Sequence, residues 1–376
     1  MPPIFEIFGY PTIDRSEEAE NCRKRRHCPF MNAGCDGGGN RYSSAIDLVK
    51  GHPLSEFFEL NGTSGNGKVH AGVCSIQPEK SESPWIVCPR RLLALAREDD
   101  NSRRWQKEAQ EKTLKLLSYE SGTRLGIWPE IKMKYKEKDP ATGLLRSFDY
   151  TFDYVVAPVN KAKLDDLAGN LKLKPENLQK KLTNGRYCFE QRDGTIWILD
   201  FPANIPSLIE IMTSSTSGGN KDKRSTVANA FEDAILGKSH TAPSINYRQV
   251  WARMVSQLVV KSEVALGWGG KTIWVVQDTL VEYIRKSTAL DLAKFVSEKT
   301  DEVNMLSFSY GDKFKHPEGV IDLVDPRLYA GKISSKPHSD EEPSFSDMIR
   351  TPLKPSIQRL YSHLVNRRPS GFVNMP

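Results

Sequence analysis

The spacing of apolar residues divides this 376-residue chain at about residue 100. Residues 1–100 are rich in Gly, Pro, Ser and Asn and contain few periodic segments, which predicts a loop-rich region with a thin apolar core. From residue 101 onward, apolar residues recur at helical or strand spacing. We therefore predict a loop-rich domain at 1–100, a core domain at 101–330, and a tail at 331–376 that is polar, partly disordered and carries one short helix.

The core domain contains several segments with clear secondary-structure signals. Helical spacing of apolar residues predicts helices at RRWQKEAQEKTLKLLSYE and INYRQVWARMVSQLVVKSEVALG, and the basic insertion at 160–182 is also predicted to be helical. Short runs of β-branched or aromatic residues predict strands at IWPEIKMKY, SFDYTFDYVVAPV, SLIEIMT and KTIWVV. Because strands alternate with helices, we expect an α/β fold with a mixed sheet.

The composition is that of a globular protein, with 38% hydrophobic and 27% charged residues, which excludes collagen-like, coiled-coil and wholly disordered chains. Lys and Arg number 53 against 47 Asp and Glu, a formal net charge of +6. Such an excess favours a polyanionic partner where the basic residues cluster. They cluster at 23–26 (RKRR), 90–91, 103–104, 132–138 (KMKYKEK) and 221–224 (KDKR).

The apolar runs are too short for a membrane protein. None reaches the roughly 18 residues of a membrane span, and the N-terminal stretch lacks the basic and apolar parts of a signal peptide. We therefore expect a cytoplasmic protein that does not contact a membrane. In that compartment cysteines serve as metal ligands or free thiols more often than as disulfides.

Four cysteines are candidate ligands of a structural metal: Cys28, Cys35, Cys74 and Cys88. A tetrahedral four-thiolate site would supply folding free energy to a region poor in core residues. The spacing is not that of a double CxxC motif, so buried free thiols remain an alternative, and Cys22 or His27 could replace Cys35. Cys188 is most simply a core thiol.

Acidic residues within two apolar strands are the sharpest chemical signal. In SLIEIMT, alternation places Leu208, Glu210 and Met212 on one face of the strand. A carboxylate there is costly unless it is paired or binds a cation, and the same holds for Asp149 or Asp153 in SFDYTFDYVV.

One acid from each of two neighbouring strands, together with the backbone carbonyl of Ile211, can hold Mg²⁺. Such an ion would polarise a phosphodiester and activate a water for attack. The alternative for each acid is a position at a strand end that faces water.

Five short segments, in this order along the chain, resemble the NotI-type type II restriction endonucleases. They are CPF at 28–30, GVCSI at 72–76, WIVCPRRLL at 85–93, SFDYT at 147–151 and LIEIMT at 208–213. With the helix and strand at 247–276, the likeness extends from about residue 28 to residue 290. Each segment is short, but together they are fairly specific.

The resemblance implies a PD-(D/E)xK nuclease core, in which helices flank a mixed sheet, and an N-terminal domain that holds a structural iron through four cysteines. Zinc is the other metal that suits four thiolates. The resemblance implies that Cys28, Cys74 and Cys88 are ligands, with Cys35 as the fourth.

For the catalytic site, the resemblance favours Asp149 over Asp153 as the metal-binding aspartate, with Glu210 as its partner and Glu130 as a further carboxylate. One position departs from the motif. Met212 stands where Lys or Gln is usual, and a thioether can neither donate a proton nor balance an attacking hydroxide. A lysine of the following loop, Lys221 or Lys223, could serve instead, activated water could suffice, or activity could be lost.

These features predict a Mg²⁺-dependent endodeoxyribonuclease that cuts double-stranded DNA at a short symmetric site, GC-rich by the resemblance, as a homodimer. A cognate DNA methyltransferase would be its functional partner, outside any complex. Arginines suit guanine edges, and the candidates are Arg90, Arg91, Arg103 and Arg104. The alternative is a non-catalytic nucleic-acid-binding protein with a structural four-cysteine metal site.

Overall fold

The computed structural model describes residues 2–38, 45–49, 51–58, 67–78, 82–96, 105–287, 292–333 and 355–376. Short elements make up the first hundred residues. They are β1 (Ile4–Ile7), β2 (Tyr10–Pro11), α1 (Glu17–Arg25), β3 (His27–Cys28), β4 (Ala33–Gly34), β5 (Ala45–Asp47), α2 (Pro53–Phe57), β6 (Lys68–His70), β7 (Val73–Ile76), β8 (Trp85–Ile86) and α3 (Pro89–Leu92). Strands β2, β1, β7 and β8 form an antiparallel sheet in that order.

The rest of the chain has longer elements. They are α4 (Lys107–Lys115), β9 (Arg124–Lys138), β10 (Leu145–Lys163), α5 (Leu164–Leu171), α6 (Pro175–Asn184), β11 (Phe189–Arg192), β12 (Thr195–Pro202), β13 (Ser207–Met212), α7 (Val227–Ile235), α8 (Tyr247–Gly267), β14 (Thr272–Gln277), α9 (Asp278–Ser287), β15 (Val303–Ser309), β16 (Val324–Gly331), α10 (Ile357–Leu364) and β17 (Gly371–Asn374). The helices and strands predicted for the core domain are confirmed, and the insertion at 160–182 contains two helices rather than one.

Nine strands form the central sheet, with the order β11-β12-β10-β13-β14-β15-β16, and β9 pairs with both β10 and β17. Strands β13, β14 and β15 run parallel to one another. Their neighbours β10 and β16 pair antiparallel, so the sheet is mixed. The expected α/β class with a mixed sheet flanked by helices is confirmed.

Alternation along β13 creates the two faces of the sheet. Ile209 and Ile211 pack on one face in a cluster that includes residues of α3 and α4. Leu208 and Met212 pack on the other face, in clusters that include residues of α7, α8 and α9. The predicted separation of these side chains is therefore confirmed, and Glu210 lies between Leu208 and Met212 on the α8 side.

The N-terminal residues share a core with the central sheet. Phe8 packs edge-on against Phe231 of α7, with ring centroids 5.7 Å apart, and Ile4 and Ile7 join the same cluster as Trp274 of β14. The predicted thin core is wrong, because the short apolar segments bury their side chains against one another and also against α7 and β14.

The C-terminal residues 355–376 are part of the fold. The predicted short helix is α10, whose Leu360 and Leu364 are completely buried. Strand β17 then pairs with β9 from Gly371 to Asn374. This last segment therefore closes the sheet beside β9 and is not a tail, which corrects the prediction for these residues; residues 334–354 lie outside the described part of the chain.

Candidate functional site

Strands β10 and β13 separate at a pair of carboxylates. Their backbone ladder runs from Val156 to Tyr154, opposite Ser207 to Ile209. The next pair would be Asp153 and Glu210. Beyond this point a side chain takes the place of the backbone pairing. The Oδ2 of Asp153 accepts a hydrogen bond from the Ile211 N–H at 2.8 Å. One acid from each strand therefore lies where the two strands diverge.

Strand β10 is irregular at the same position. Phe152 and Val155 pack in the same cluster, which breaks the alternation expected for residues three apart. Opposite Asp153, between the pairs Phe152–Ile131 and Tyr154–Pro129, Glu130 of β9 has a left-handed φ of 52°. Such a conformation costs roughly 1–2 kcal/mol for a residue with a Cβ atom. Local backbone strain is thus concentrated beside the carboxylates, where it is typical of functional sites.

Glu210 is a completely buried carboxylate with a cationic partner. Its Oε2 accepts a hydrogen bond from the Nζ of Lys261, and its Oε1 has no hydrogen-bond partner among the described residues. Burial raises the pKa of Glu210 to about 8; the Lys261 ammonium lowers it, and the Asp153 carboxylate raises it further. A cation bound at this site would favour the ionised form of Glu210.

Lys261 reaches Glu210 from helix α8, which packs across β13 and β14. Only 9% of the residue is exposed, and its ammonium lies 5.6 Å from the ring centroid of Trp274, the residue beside Glu210 in the parallel ladder. A lysine is costly to bury unless it is paired. The cationic partner of Glu210 is thus Lys261 on α8, and not a residue of β13.

Asp149 does not belong to this site. Its side chain is 73% exposed, and its Oδ2 lies 3.8 Å from the Nζ of Lys134, which is 84% exposed. It lies four positions before Asp153, roughly 13 Å away along a strand. The prediction that Asp149 pairs with Glu210 is wrong, because the strands diverge at Asp153 and it is this side chain that meets β13.

Lys221 and Glu130 are also displaced from their expected roles. Lys221 is exposed in a turn closed by the hydrogen bond from the Arg224 N–H to the Lys221 carbonyl. The position beside Glu210 is instead occupied by Lys261. Glu130 lies opposite Asp153 in β9, but its Oε1 forms an ion pair with Arg90, at 3.2 Å.

Arg91 cannot contact DNA as predicted, because its side chain is completely buried. Its Nε and Nη2 donate to the carboxylate of Glu6 at 2.9–3.1 Å, and Nη2 also donates to the Ile321 carbonyl at 2.7 Å. Tyr310 and Ser75 donate hydroxyl hydrogen bonds to the same carboxylate, at 2.6 and 2.7 Å. This network joins β1, β7, α3 and the residue that follows β15, and it is structural.

The structure also does not support a role for Arg90 in contacting DNA bases. Arg90 is partly buried and is paired with Asp36, at 3.3 Å, as well as with Glu130. Two acidic partners neutralise its charge, so it links the N-terminal segment to β9. Arg103 and Arg104 lie outside the described residues.

The four predicted cysteine ligands are neighbours. The neighbouring Cys88 sulfur, and after it burial, raises the pKa of Cys74, whereas the interaction with Cys74 lowers the pKa of Cys88. Burial, with a further contribution from Cys88, raises the pKa of Cys28 to about 12 and that of Cys35 further. Cys188 is exposed, so its predicted place in the core is wrong.

Backbone amides surround these sulfurs. The N–H of Gly9 donates to Cys74 at 3.3 Å and that of Gly37 to Cys35 at 3.4 Å, and amides of the CPF and CPRR turns point at Cys28 and Cys88. Amide donors of this kind stabilise thiolates. In the described part of the chain, however, no group of three or more His, Cys, Asp or Glu side chains is arranged so that it could hold a metal ion. The four cysteines are thus close neighbours, and the four-thiolate metal site stays a prediction.

The chain was compared with protein families, curated proteins and solved structures. No family model, curated protein or solved structure matches the chain. Within the described residues, none of the helices has the length and apolar character needed to cross a membrane.

Proposed function

We propose that this protein is a Mg²⁺-dependent endonuclease that hydrolyses phosphodiester bonds of double-stranded DNA, with Asp153, Glu210 and Lys261 at its catalytic centre. The observation that carries the proposal is the meeting of two carboxylates and a buried lysine where β10 and β13 diverge. Two acids and a lysine on a mixed sheet are the functional groups of the PD-(D/E)xK nucleases that the sequence resembles, although the lysine here comes from a helix.

The residues fit a hard divalent cation. Asp153, the partner-free Oε1 of Glu210 and the backbone carbonyl of Ile211 would provide oxygen ligands, which Mg²⁺ prefers. When bound, Mg²⁺ would supply charge that polarises the phosphodiester and activates water. Burial of Glu210 makes such a charge favourable, because the carboxylate is otherwise held in a desolvated environment.

Lys261 would act through position and charge. Its contact with Glu210 fixes the orientation of that carboxylate. The ammonium also provides a cation that can stabilise negative charge as it develops on the phosphate oxygens, a task that Met212 cannot perform.

A row of lysines next to the site supports a nucleic-acid substrate. Four exposed lysines occupy every second position of β9: Lys132, Lys134, Lys136 and Lys138. This lysine row shares one strand face over roughly 20 Å. Lys132 pairs with Thr151, two residues from Asp153. Apart from the weak contact between Lys134 and Asp149, none of the four forms an ion pair with a described residue, so the row can bind phosphates.

The resemblance to the NotI-type enzymes extends the proposal to the oligomeric state, the DNA site and the structural metal. A type II restriction endonuclease would act as a homodimer on a short symmetric, GC-rich site and would be accompanied by a DNA methyltransferase. The four converging cysteines would hold iron or zinc in the N-terminal region, with a purely structural role.

Cleavage of supercoiled plasmid in the presence of Mg²⁺ tests the proposal. The wild type should give discrete fragments, and D153N and E210Q should each slow cleavage by about 100-fold or more, the scale for loss of a group that stabilises transition-state charge. D149N is the matched control and should keep activity, because its carboxylate is exposed and distant. If D149N were inactive and D153N active, the assignment of the site would be wrong. DNA binding without any cleavage would favour the non-catalytic alternative.

A further inference from the structure

The chain between the two carboxylate-bearing strands folds as a separate unit. Helix α5 follows β10 directly, and the chain returns through α6, β11 and β12 before it enters β13. Helices α5 and α6 pack against each other, and α5 also packs on β12. Their shared apolar cluster consists mostly of residues from this segment, among them Leu167, Ala168, Leu178, Leu182 and Ile198.

The two helices are joined by a tight turn. Only residues 172–174 separate α5 from α6, and Lys172 adopts a left-handed conformation with φ 53° and ψ 42°. The N–H of Leu173 then donates to the Ala168 carbonyl at 2.9 Å. A three-residue turn between two packed helices is typical of a helix-turn-helix.

A hairpin follows the second helix. Strands β11 and β12 pair antiparallel and are connected by the two residues Asp193 and Gly194, both with left-handed φ. Arg192, at the end of β11, has a side chain that is 77% exposed. The order helix, turn, helix, hairpin is that of a winged helix-turn-helix.

The outer face of α6 is suited to contact bases. Four polar residues recur there at helical spacing: Asn177, Lys180, Lys181 and Asn184. All four are exposed, and none of them has a hydrogen bond or an ion pair through its side chain with any residue that the structure describes. Asn side chains pair with adenine and Lys with guanine in the major groove. The charge of this segment also favours DNA, since residues 172–192 contain six basic and two acidic side chains.

The unit is held firmly to the rest of the molecule. The hydroxyl of Tyr187 donates to the Leu364 carbonyl of α10 at 3.1 Å, and Arg368 forms an ion pair with Asp200 of β12 at 2.7 Å. Strand β12 also pairs with the end of β10. A ligand bound on α6 would therefore be fixed relative to Asp153.

We propose that residues 164–202 form a winged helix-turn-helix that binds double-stranded DNA, with α6 as the helix that reads base edges in the major groove. The β11–β12 hairpin contacts the adjacent backbone through Arg192. This surface is separate from the catalytic centre, and its binding to DNA does not require cleavage.

Binding in EDTA, where hydrolysis is prevented, tests the inference. The full-length wild type is used to select from a random-sequence duplex library, and a preferred motif should emerge. The variant N177A/K180A/K181A/N184A should bind DNA about 10-fold more weakly or worse and lose the motif, since each good base contact discriminates by about tenfold or more. The control K112A/K115A removes two exposed lysines from α4 and should select the wild-type motif.

Selection of the same motif with wild-type affinity by the quadruple variant would overturn the inference, as would the absence of any binding by the wild type. Circular dichroism establishes that the variant is folded; if it is not, N177A and K181A are tested singly for altered motif preference. The D153N variant separates this inference from the proposed function. Motif binding by D153N with no plasmid cleavage by the wild type would refute the nuclease alone, whereas cleavage with unchanged selection by the α6 variants would refute the reading helix alone.

Discussion

At the residue scale, the proposed catalytic centre depends on the choice between two aspartates. Asp149 and Asp153 are four residues apart in one strand and have similar neighbours, so alternation cannot separate them. The point at which β10 leaves β13 decides between them. Lys261 lies far from Met212 in the sequence, so the motif does not point to it. A lysine within the apolar run LVVKSEVAL was the available signal, since such a position requires a buried partner.

Substitution of Lys261 tests whether cleavage requires the ammonium group beside Glu210. K261M should reduce cleavage by about 100-fold or more, because a cation beside Glu210 is lost. In the double variant K261M/M212K a lysine returns to the strand face shared with Glu210, and part of the activity should be restored. Cleavage rates measured on one plasmid substrate check this. Full activity of K261M would exclude Lys261 from the mechanism.

Thermal unfolding should report cation binding at the carboxylates. A ligand present at 100 times its dissociation constant stabilises the folded state by about 2.7 kcal/mol. We therefore expect Mg²⁺ to raise the Tm of the wild type and of D149N, but not that of D153N, whose carboxylate is adjacent to Glu210. Scanning calorimetry with and without EDTA measures the difference. An equal rise for all three proteins would place the cation elsewhere.

At the element scale, the N-terminal segments are attached to the sheet by buried polar contacts. The Arg91–Glu6 pair is completely desolvated and carries hydrogen bonds from Tyr310 and Ser75. Removing one partner of such a pair typically costs about 3–5 kcal/mol. R91A should therefore lower the free energy of unfolding by this amount, as measured by urea denaturation. R90A is the control. Arg90 is only partly buried, so this variant should lose less unfolding free energy than R91A.

The cysteine cluster leaves no room for a side chain at Gly38. A Cβ atom there would lie 2.6 Å from the Sγ of Cys88, and φ is 54°. G38A should lower stability by about 1–3 kcal/mol through overpacking and should reduce the content of iron or zinc measured by mass spectrometry.

G34A is the matched control, since nothing lies within 4 Å of its added Cβ atom. Wild-type protein purified without stoichiometric metal would contradict the four-thiolate site. Equal metal content and equal Tm for G38A and G34A would contradict the expected clash between the added Cβ atom of residue 38 and the Sγ of Cys88.

At the scale of the whole molecule, the sequence predicted what local patterns can determine. The strands at IWPEIKMKY and SLIEIMT and the long helix α8 follow from their periodicity. The short strands β11 (FEQR) and β17 (GFVN) lack a strand pattern of their own and acquire strand structure by pairing with β12 and β9. Apolar side chains of residues 1–100 also pack in one cluster with elements far away in sequence, such as α7, and local patterns cannot predict such contacts.

The pairing of Val159 with Pro202 has a consequence for the engineering of this architecture. The two ends of the inserted unit lie side by side in adjacent antiparallel strands, about 5 Å apart. A segment whose ends lie side by side can be exchanged as a whole without moving β10 and β13, which carry Asp153 and Glu210. Replacing residues 160–201 with a different DNA-binding unit should accordingly change the sequence preference proposed for this protein and leave its proposed catalytic centre in place.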